Sequence, residues 1–275
     1  MLAMALFVSM DTCAKYLGQT YSTVQIVWAR YFFHLILLSF VLGRRLPSFL
    51  VTGRIGLQLI RSGLLLLTTT LYFTSLQFVP LAEASAIFMT APVIVTALSV
   101  PILGEPVGPR RWAGVFIGFA AAVVIIRPGS ETMQLAALLP LVAACFYAFY
   151  QISTRFLSDQ DPILTTLIYS AAIGALVMSA LVPFYWQTPT LEHWPIFVLL
   201  GLFGGIGHFA LIKALTLSPA AVVAPFSYTN IIWATLFGFI LFDHLPDMIT
   251  VIGAVVVAAS GLYIFHREQA AKTDS

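Results

Sequence analysis

Ten stretches of about twenty residues, apolar and nearly free of charge, follow one another along this chain. That is the length a helix needs to cross the hydrocarbon core of a bilayer. They fall at approximately 2–18, 23–42, 56–78, 82–103, 109–126, 133–156, 163–184, 195–216, 220–242 and 247–265. Ten such spans take up about 200 residues, so a chain of 275 residues keeps only short loops and no room for a water-soluble domain. Outer-membrane strands instead alternate lipid-facing and lumen-facing residues in segments of about ten, and these runs are continuous. Only 9% of the residues are charged, against about 25% in soluble domains. A soluble enzyme, a disordered chain and a nucleic-acid binder are excluded. The expected fold is all-α and polytopic, with lipid and a small-molecule substrate as its partners.

The first span follows no basic segment and carries Asp11 and Lys15, so it reads as a retained helix and not a removable signal peptide. Cys13 and Cys145 both fall inside spans and read as small packing residues. Lys and Arg set the orientation. With the N-terminus inside, the cytoplasmic side receives Arg44, Arg45, Arg54, Arg61, Arg110, Arg111, Arg155, Lys213, Arg267 and Lys272, and the other side only Lys15 and Arg127. Both termini are therefore expected in the cytoplasm, in a multi-pass protein of the bacterial inner membrane.

Sliding the chain on itself by 139 residues superposes Leu76 on Leu215, Pro80 on Pro219, Ala82 on Ala221 and Gly114 on Gly253. A shift of 140 aligns Lys15 with Arg155, Leu17 with Leu157 and Pro106 with Pro246. The shared offset divides the chain into repeats at 1–129 and 130–268, with a short tail at 269–275. Five spans per repeat is an odd number, so the second copy enters the membrane from the opposite side. Inverted repeats are a recurrent design of secondary transporters, whose halves exchange shapes to open alternately to each face.

Residues 61–128 run through Arg61-Ser62-Gly63, Val79-Pro80-Leu81-Ala82-Glu83-Ala84-Ser85, Ala91-Pro92, Leu103-Gly104-Glu105-Pro106 and Arg111-Trp112-Ala113-Gly114. With Met10-Asp11, Lys15 and Arg30 upstream, this resembles the EamA-type repeat of the drug/metabolite transporter superfamily, over essentially the whole chain. The nearest likeness is to the YddG-type amino-acid exporters. The resemblance implies a ten-helix carrier in which helices five and ten are peripheral and the others line a central cavity. In the second half, Phe242-Asp243-His244-Leu245-Pro246 stands where Leu-Gly-Glu-Pro is expected, so Glu105 has no symmetrical partner.

Polar groups in hydrocarbon are costly and face a cavity or a partner. Asp11 and Lys15, one helical turn apart, share a face and could pair. Arg30 lies in the outer third of the second span with His34 one turn further in. If Asp11, Lys15 and Arg30 converge, their net charge of +1 suits a substrate carboxylate; an ion network that only locks two helices is the alternative. Asn230, the chain's one asparagine, and His208 are either interhelical glue or ligand contacts. Tyr72, Tyr147, Tyr150, Tyr169, Tyr228 and Trp233 lie too deep for an interfacial belt and would suit an amphiphilic solute; packing is the competing role. Gln151 occupies the position that the repeat pairs with Asp11. Gly114, Gly118 and Ala122, and Gly253 with Gly261, read as packing seams.

No nucleotide loop, HExxH motif or clustered metal-ligand spacing is present, so neither metal nor cofactor is expected. The reading is a secondary exporter of small organic metabolites, amino acids first, as a monomer or weak homodimer. A multidrug, cationic-compound or nucleotide-type carrier is the runner-up, and an intramembrane enzyme or a receptor the other classes. Asp11 is the one acid well inside a span. With Lys15 and Arg30 beside it favouring the ionised form, transport is expected not to be obligatorily proton-coupled.

Overall fold

A computed structural model describes residues 1–104, 108–127, 135–157, 161–217 and 224–273. Helix occupies all ten expected places. The helices are α1 (Leu2–Leu17), α2 (Thr23–Leu42), α3 (Ile55–Leu76), α4 (Leu81–Phe88), α5 (Ala91–Leu103), α6 (Pro109–Ile126), α7 (Leu138–Leu157), α8 (Ile163–Leu181), α9 (Trp194–Leu217), α10 (Asn230–Phe242) and α11 (Met248–Thr273). Among the described residues, eight segments are long and apolar enough to cross a membrane, while α1 and Phe226–Phe242 are shorter. Helix α11 continues to Thr273, through most of the stretch expected to be a tail. Glu105, Pro106, Pro219 and Ala221 lie outside the described residues.

The fourth span differs from expectation in being two helices. Pro92 sits at the start of α5, where a missing N–H is tolerated. Ahead of it the Thr90 hydroxyl turns back to the Ile87 carbonyl (2.7 Å), and the helix is interrupted at Met89–Thr90. In the ninth span the α-helix likewise starts only at Asn230, the matching register. A 3₁₀ turn at Ala224–Thr229 precedes α10, and the Thr229 hydroxyl donates to the Phe226 carbonyl (2.6 Å). Thr90 and Thr229 are 139 residues apart, the offset of the sequence repeat. So are the residues that end the two spans in left-handed backbone, Gly104 (φ 67°) and Asp243 (φ 51°). Asp is one of the few side chains that tolerate that conformation, so the departure from Leu-Gly at this point keeps the turn.

Helix neighbours also occur in matched pairs. Helix α3 packs on α7 as α1 packs on α9, and α2 packs on α9 as α3 packs on α8. Helices α2 and α8, α6 and α11, and α4 and α10 face each other directly. The α6–α11 seam is intramolecular, and its glycines explain the close approach. A Cβ on Gly114 would lie 2.7 Å from Ile264 Cγ1, and one on Gly253 2.4 Å from Ile125 Cγ1. Gly261 belongs elsewhere: its missing Cβ leaves room for the Tyr228 hydroxyl.

The two ends of the bundle are closed differently. At the end away from the Arg44–Arg45 connection, Gln25 and Gln187 form a reciprocal amide pair, with side-chain Nε2 to backbone O at 2.8 Å and backbone N to side-chain Oε1 at 3.0 Å. Tyr21 shares a hydrogen bond with His193 Nδ1 (2.8 Å) and accepts another from the Thr190 N–H. At the basic end, Asp161 accepts from Thr52 (2.6 Å) and Gln58 (2.8 Å).

Candidate functional site

Arg30 is the residue around which the interior is organised. Its side chain is only 3% exposed, and its Nε and Nη1 find no hydrogen-bond partner among the described residues. The guanidinium rests over the Tyr31 ring, 4.3 Å from its centre. Its charge acts on Asp11, His34, Tyr147 and His208, which brings α1, α2, α7 and α9 to one centre. Asp11 is buried and forms no ion pair within 4 Å with any described residue. His34 is buried, its Nε2 has no partner among the described residues, and its ring stacks on His208 at 6.1 Å. His208 Nδ1 donates to the Gly204 carbonyl (2.8 Å), which leaves its other ring nitrogen as an acceptor.

An aromatic wall completes the centre. Tyr72 shares a hydrogen bond with Ser85 (3.1 Å) and lies against Phe88 at 4.9 Å. Phe88 meets Tyr147 at 5.3 Å, and Tyr147 stacks on Tyr150 at 5.4 Å. Such an interior offers unpaired N–H donors, a carboxylate and ring faces to a solute. A buried donor without an acceptor costs free energy, so an occupant supplying the missing acceptor is favoured here.

The expected Asp11–Lys15 pair is not formed. Lys15 Nζ donates instead to the carbonyls of Leu76 (2.7 Å) and Val79 (2.8 Å), at the end of α3. Leu76 is the last residue of α3, so its carbonyl has no partner within the helix, Val79 lies in the connection just beyond, and the negative end of the helix dipole favours a cation. Lys15 therefore ties α1 to α3. We expect Lys15→Met to lose about 1.5–3 kcal/mol of stability, the range for hydrogen bonds to a charged group, with substrate ranking unchanged. Thermal unfolding in detergent and a competition panel would check the two parts.

Other candidates are placed apart from Arg30. Gln151 and Tyr228 line a side cavity of about 160 Å³ between α5, α7 and α11. Tyr169 donates to the Leu50 carbonyl (2.8 Å), clamping the α2–α3 connection. Trp233 packs on Phe237 at 6.2 Å. Asn230 opens α10 at the helix break with its Oδ1 buried and unpartnered among the described residues. A larger cavity of about 300 Å³ lies at the end away from the basic connections, lined by Glu83, Arg127, His244 and Asp247 among others. There Arg127 pairs with Asp247. That pairing and the Thr250 N–H pull the Asp247 carboxyl down to about 2.

Arg61, counted from the sequence only among the basic residues of the cytoplasmic side, is buried at 3% exposure among α3, α7 and α8. Phe88 and the glycines of α9 are further omissions. The signal for Arg61 was present, since it lies a turn and a half inside an apolar run with Gln58 three residues before it.

Eight segments long and apolar enough to cross a bilayer define a multi-pass membrane protein, and helices, unlike strands, place it in the inner membrane. The chain belongs to the EamA-like transporter family, whose profile matches residues 1–127 and again 134–265. It is 28% identical over 264 residues to a Rickettsia bellii S-adenosylmethionine uptake transporter, covering 95% of this chain and 90% of that one. A Vibrio cholerae riboflavin transporter is 29% identical over 215 residues (78% and 72%), and a Pseudomonas aeruginosa pseudopaline exporter 25% identical over 264 residues (94% and 92%). A crystal structure shares the fold with a TM-score of 0.65 at 18% identity, over 95% of both chains. These relatives are named for other solutes than amino acids, and include an uptake transporter as well as an exporter.

Proposed function

We propose that this transporter is a secondary carrier for zwitterionic metabolites that join an amino-acid head to an aromatic or heteroaromatic body. S-adenosylmethionine is the solute that fits best. The observation that carries the reading is the buried, under-bonded Arg30 guanidinium beside Asp11 and a wall of rings. A carboxylate would satisfy Arg30 in the bidentate manner guanidinium favours. The ammonium would face Asp11, a sulfonium would lie against ring faces, and the adenine would stack on the tyrosines. Riboflavin, which has no carboxylate, would leave Arg30 unpaired. Amino-acid export, the expectation from sequence, keeps the head group of this substrate and drops its identity.

Transport would proceed by alternating access between two inverted halves, 1–129 and 130–268. The matched helix neighbours and the matched helix starts after Thr90 and Thr229 support this, because inverted repeats are a recurrent design of transporters. The basic connections would lie in the cytoplasm. Proteoliposomes holding unlabelled S-adenosylmethionine, with no ion gradient imposed, should accumulate the labelled compound by counterflow. S-adenosylhomocysteine should compete strongly, methionine weakly, and adenosine or riboflavin not at all. Competition by adenosine equal to that of S-adenosylhomocysteine would refute the role of the head group. Flux of phenylalanine without flux of S-adenosylmethionine would restore amino-acid transport.

A further inference from the structure

Arg61 stands on α3, in the first half of the chain, and among the described residues the acceptors of its side chain all lie in the second. Nε donates to Thr154 Oγ1 (2.7 Å) and Nη2 to the Tyr150 hydroxyl (2.7 Å), both on α7. Nη1 donates to the Thr166 carbonyl (3.0 Å) and to Ser170 Oγ (2.8 Å), both on α8. The acceptors are set in advance. The Thr154 hydroxyl gives its own proton to the Tyr150 carbonyl, and that of Ser170 goes to the Thr166 carbonyl, so each oxygen presents a lone pair to the guanidinium. The Tyr150 ring continues through Tyr147 and Phe88 to Tyr72, the wall of the central site.

We propose that Arg61 is the positioning residue of the transport cycle, a two-state clamp that holds the basic end shut and joins that closure to the wall of the substrate site. The argument is one of solvation. A buried guanidinium must have either these partners or water, because stripping it of both is strongly unfavourable. Parting α3 from α7 and α8 at the basic end admits water and hydrates the released side chain. Opening at the opposite end leaves Arg61 dry, so it must keep its partners and the basic end stays closed. Intermediate openings are penalised, which suppresses a channel open at both ends. At the other end the Gln25–Gln187 pair and Tyr21 with His193 and Thr190 are neutral, and the Arg127–Asp247 ion pair is already partly solvated, at 29% and 48% exposure, so parting that end carries no comparable penalty.

The inference rests on alternating access but not on the substrate, and its test uses none. Helix α3 carries two buried serines suited to reporting each end, Ser62 (1% exposed) toward the basic end and Ser75 (0%) toward the other. With Cys13 and Cys145 replaced by Ala, Ser62→Cys and Ser75→Cys are introduced singly in proteoliposomes. A membrane-impermeant thiol reagent is then applied to the corresponding face. Both Arg61→Gln and Tyr150→Phe should raise labelling of Ser62→Cys about tenfold and lower that of Ser75→Cys. Tyr150→Phe deletes a single hydroxyl and keeps the ring, so it carries the test should Arg61→Gln fail to fold. A rise at both reporters would mean general loosening, and no rise at Ser62→Cys would mean that Arg61 only packs; either result overturns the clamp.

Discussion

Arg30→Gln should cut transport of carboxylate-bearing substrates by about ten- to a hundredfold while sparing their carboxamides. The range follows from the 1.5–3 kcal/mol, approximately, that a hydrogen bond to a charged group contributes, at 1.4 kcal/mol per factor of ten. Arg30 already lacks partners for Nε and Nη1, so the empty protein should lose little stability and can even gain some. Lysine at this position should restore only part of the rate, because an ammonium cannot present two parallel N–H groups to one carboxylate. Initial rates in proteoliposomes, compared for a substrate and its amide, make the measurement. Equal losses for both, with poor folded yield, would assign Arg30 to helix locking.

The second large effect is expected at Gly201, where α9 meets α2. A Cβ there would lie 2.4 Å from Phe33 Cβ, 3.0 Å from the His34 backbone N and 3.1 Å from the Phe33 carbonyl carbon. These atoms belong to the neighbouring backbone or are fixed to it, so α2 itself must shift. Gly201→Ala should then cost about 1–3 kcal/mol, the range for overpacking, and displace Arg30 and His34 along with α2. Gly204→Ala is the natural control. Its added Cβ would meet Met10 Sδ at 3.0 Å, part of a flexible side chain, with Arg30 Cγ further off at 3.9 Å. Gly201→Ala should unfold at lower temperature in detergent and transport poorly, and Gly204→Ala should remain close to the parent. Similar behaviour of the two would show that the helices can separate without cost.

These expectations depend on contacts that no local pattern announces. Lys15 and Asp11 are one turn apart on α1, so pairing was the natural inference. The carbonyls of Leu76 and Val79, more than sixty residues away, prove the better partners because one ends a helix and the other lies in the turn beyond it, neither taken up by a helix ladder. The fourth span reads as a continuous apolar run, yet Pro92 and the Thr90 hydroxyl divide it. Gln25 sits close to a predicted membrane boundary, where a polar side chain draws no notice. Only its bonds to Gln187, 162 residues on, make it part of a closure.

The chain by itself determined the class of fold, the places of its helices and the asymmetry of its basic residues. The reason is that the bilayer acts on local properties, asking of each segment only length, apolarity and flanking charge. It also determined which buried polar residues deserve notice, since any charge in hydrocarbon stands out. What each of them does was decided by tertiary structure. Arg30 and Arg61 are the same residue type in similar apolar surroundings, each 3% exposed. Arg61 meets two helices, α7 and α8, that supply four acceptors, whereas Arg30 is left, among the described residues, with two unpaired donor atoms. Whether a buried guanidinium becomes a clamp or a binding group depends on which carbonyls and hydroxyls the packed helices bring within about 3 Å of it, and that proximity arises only when distant segments meet.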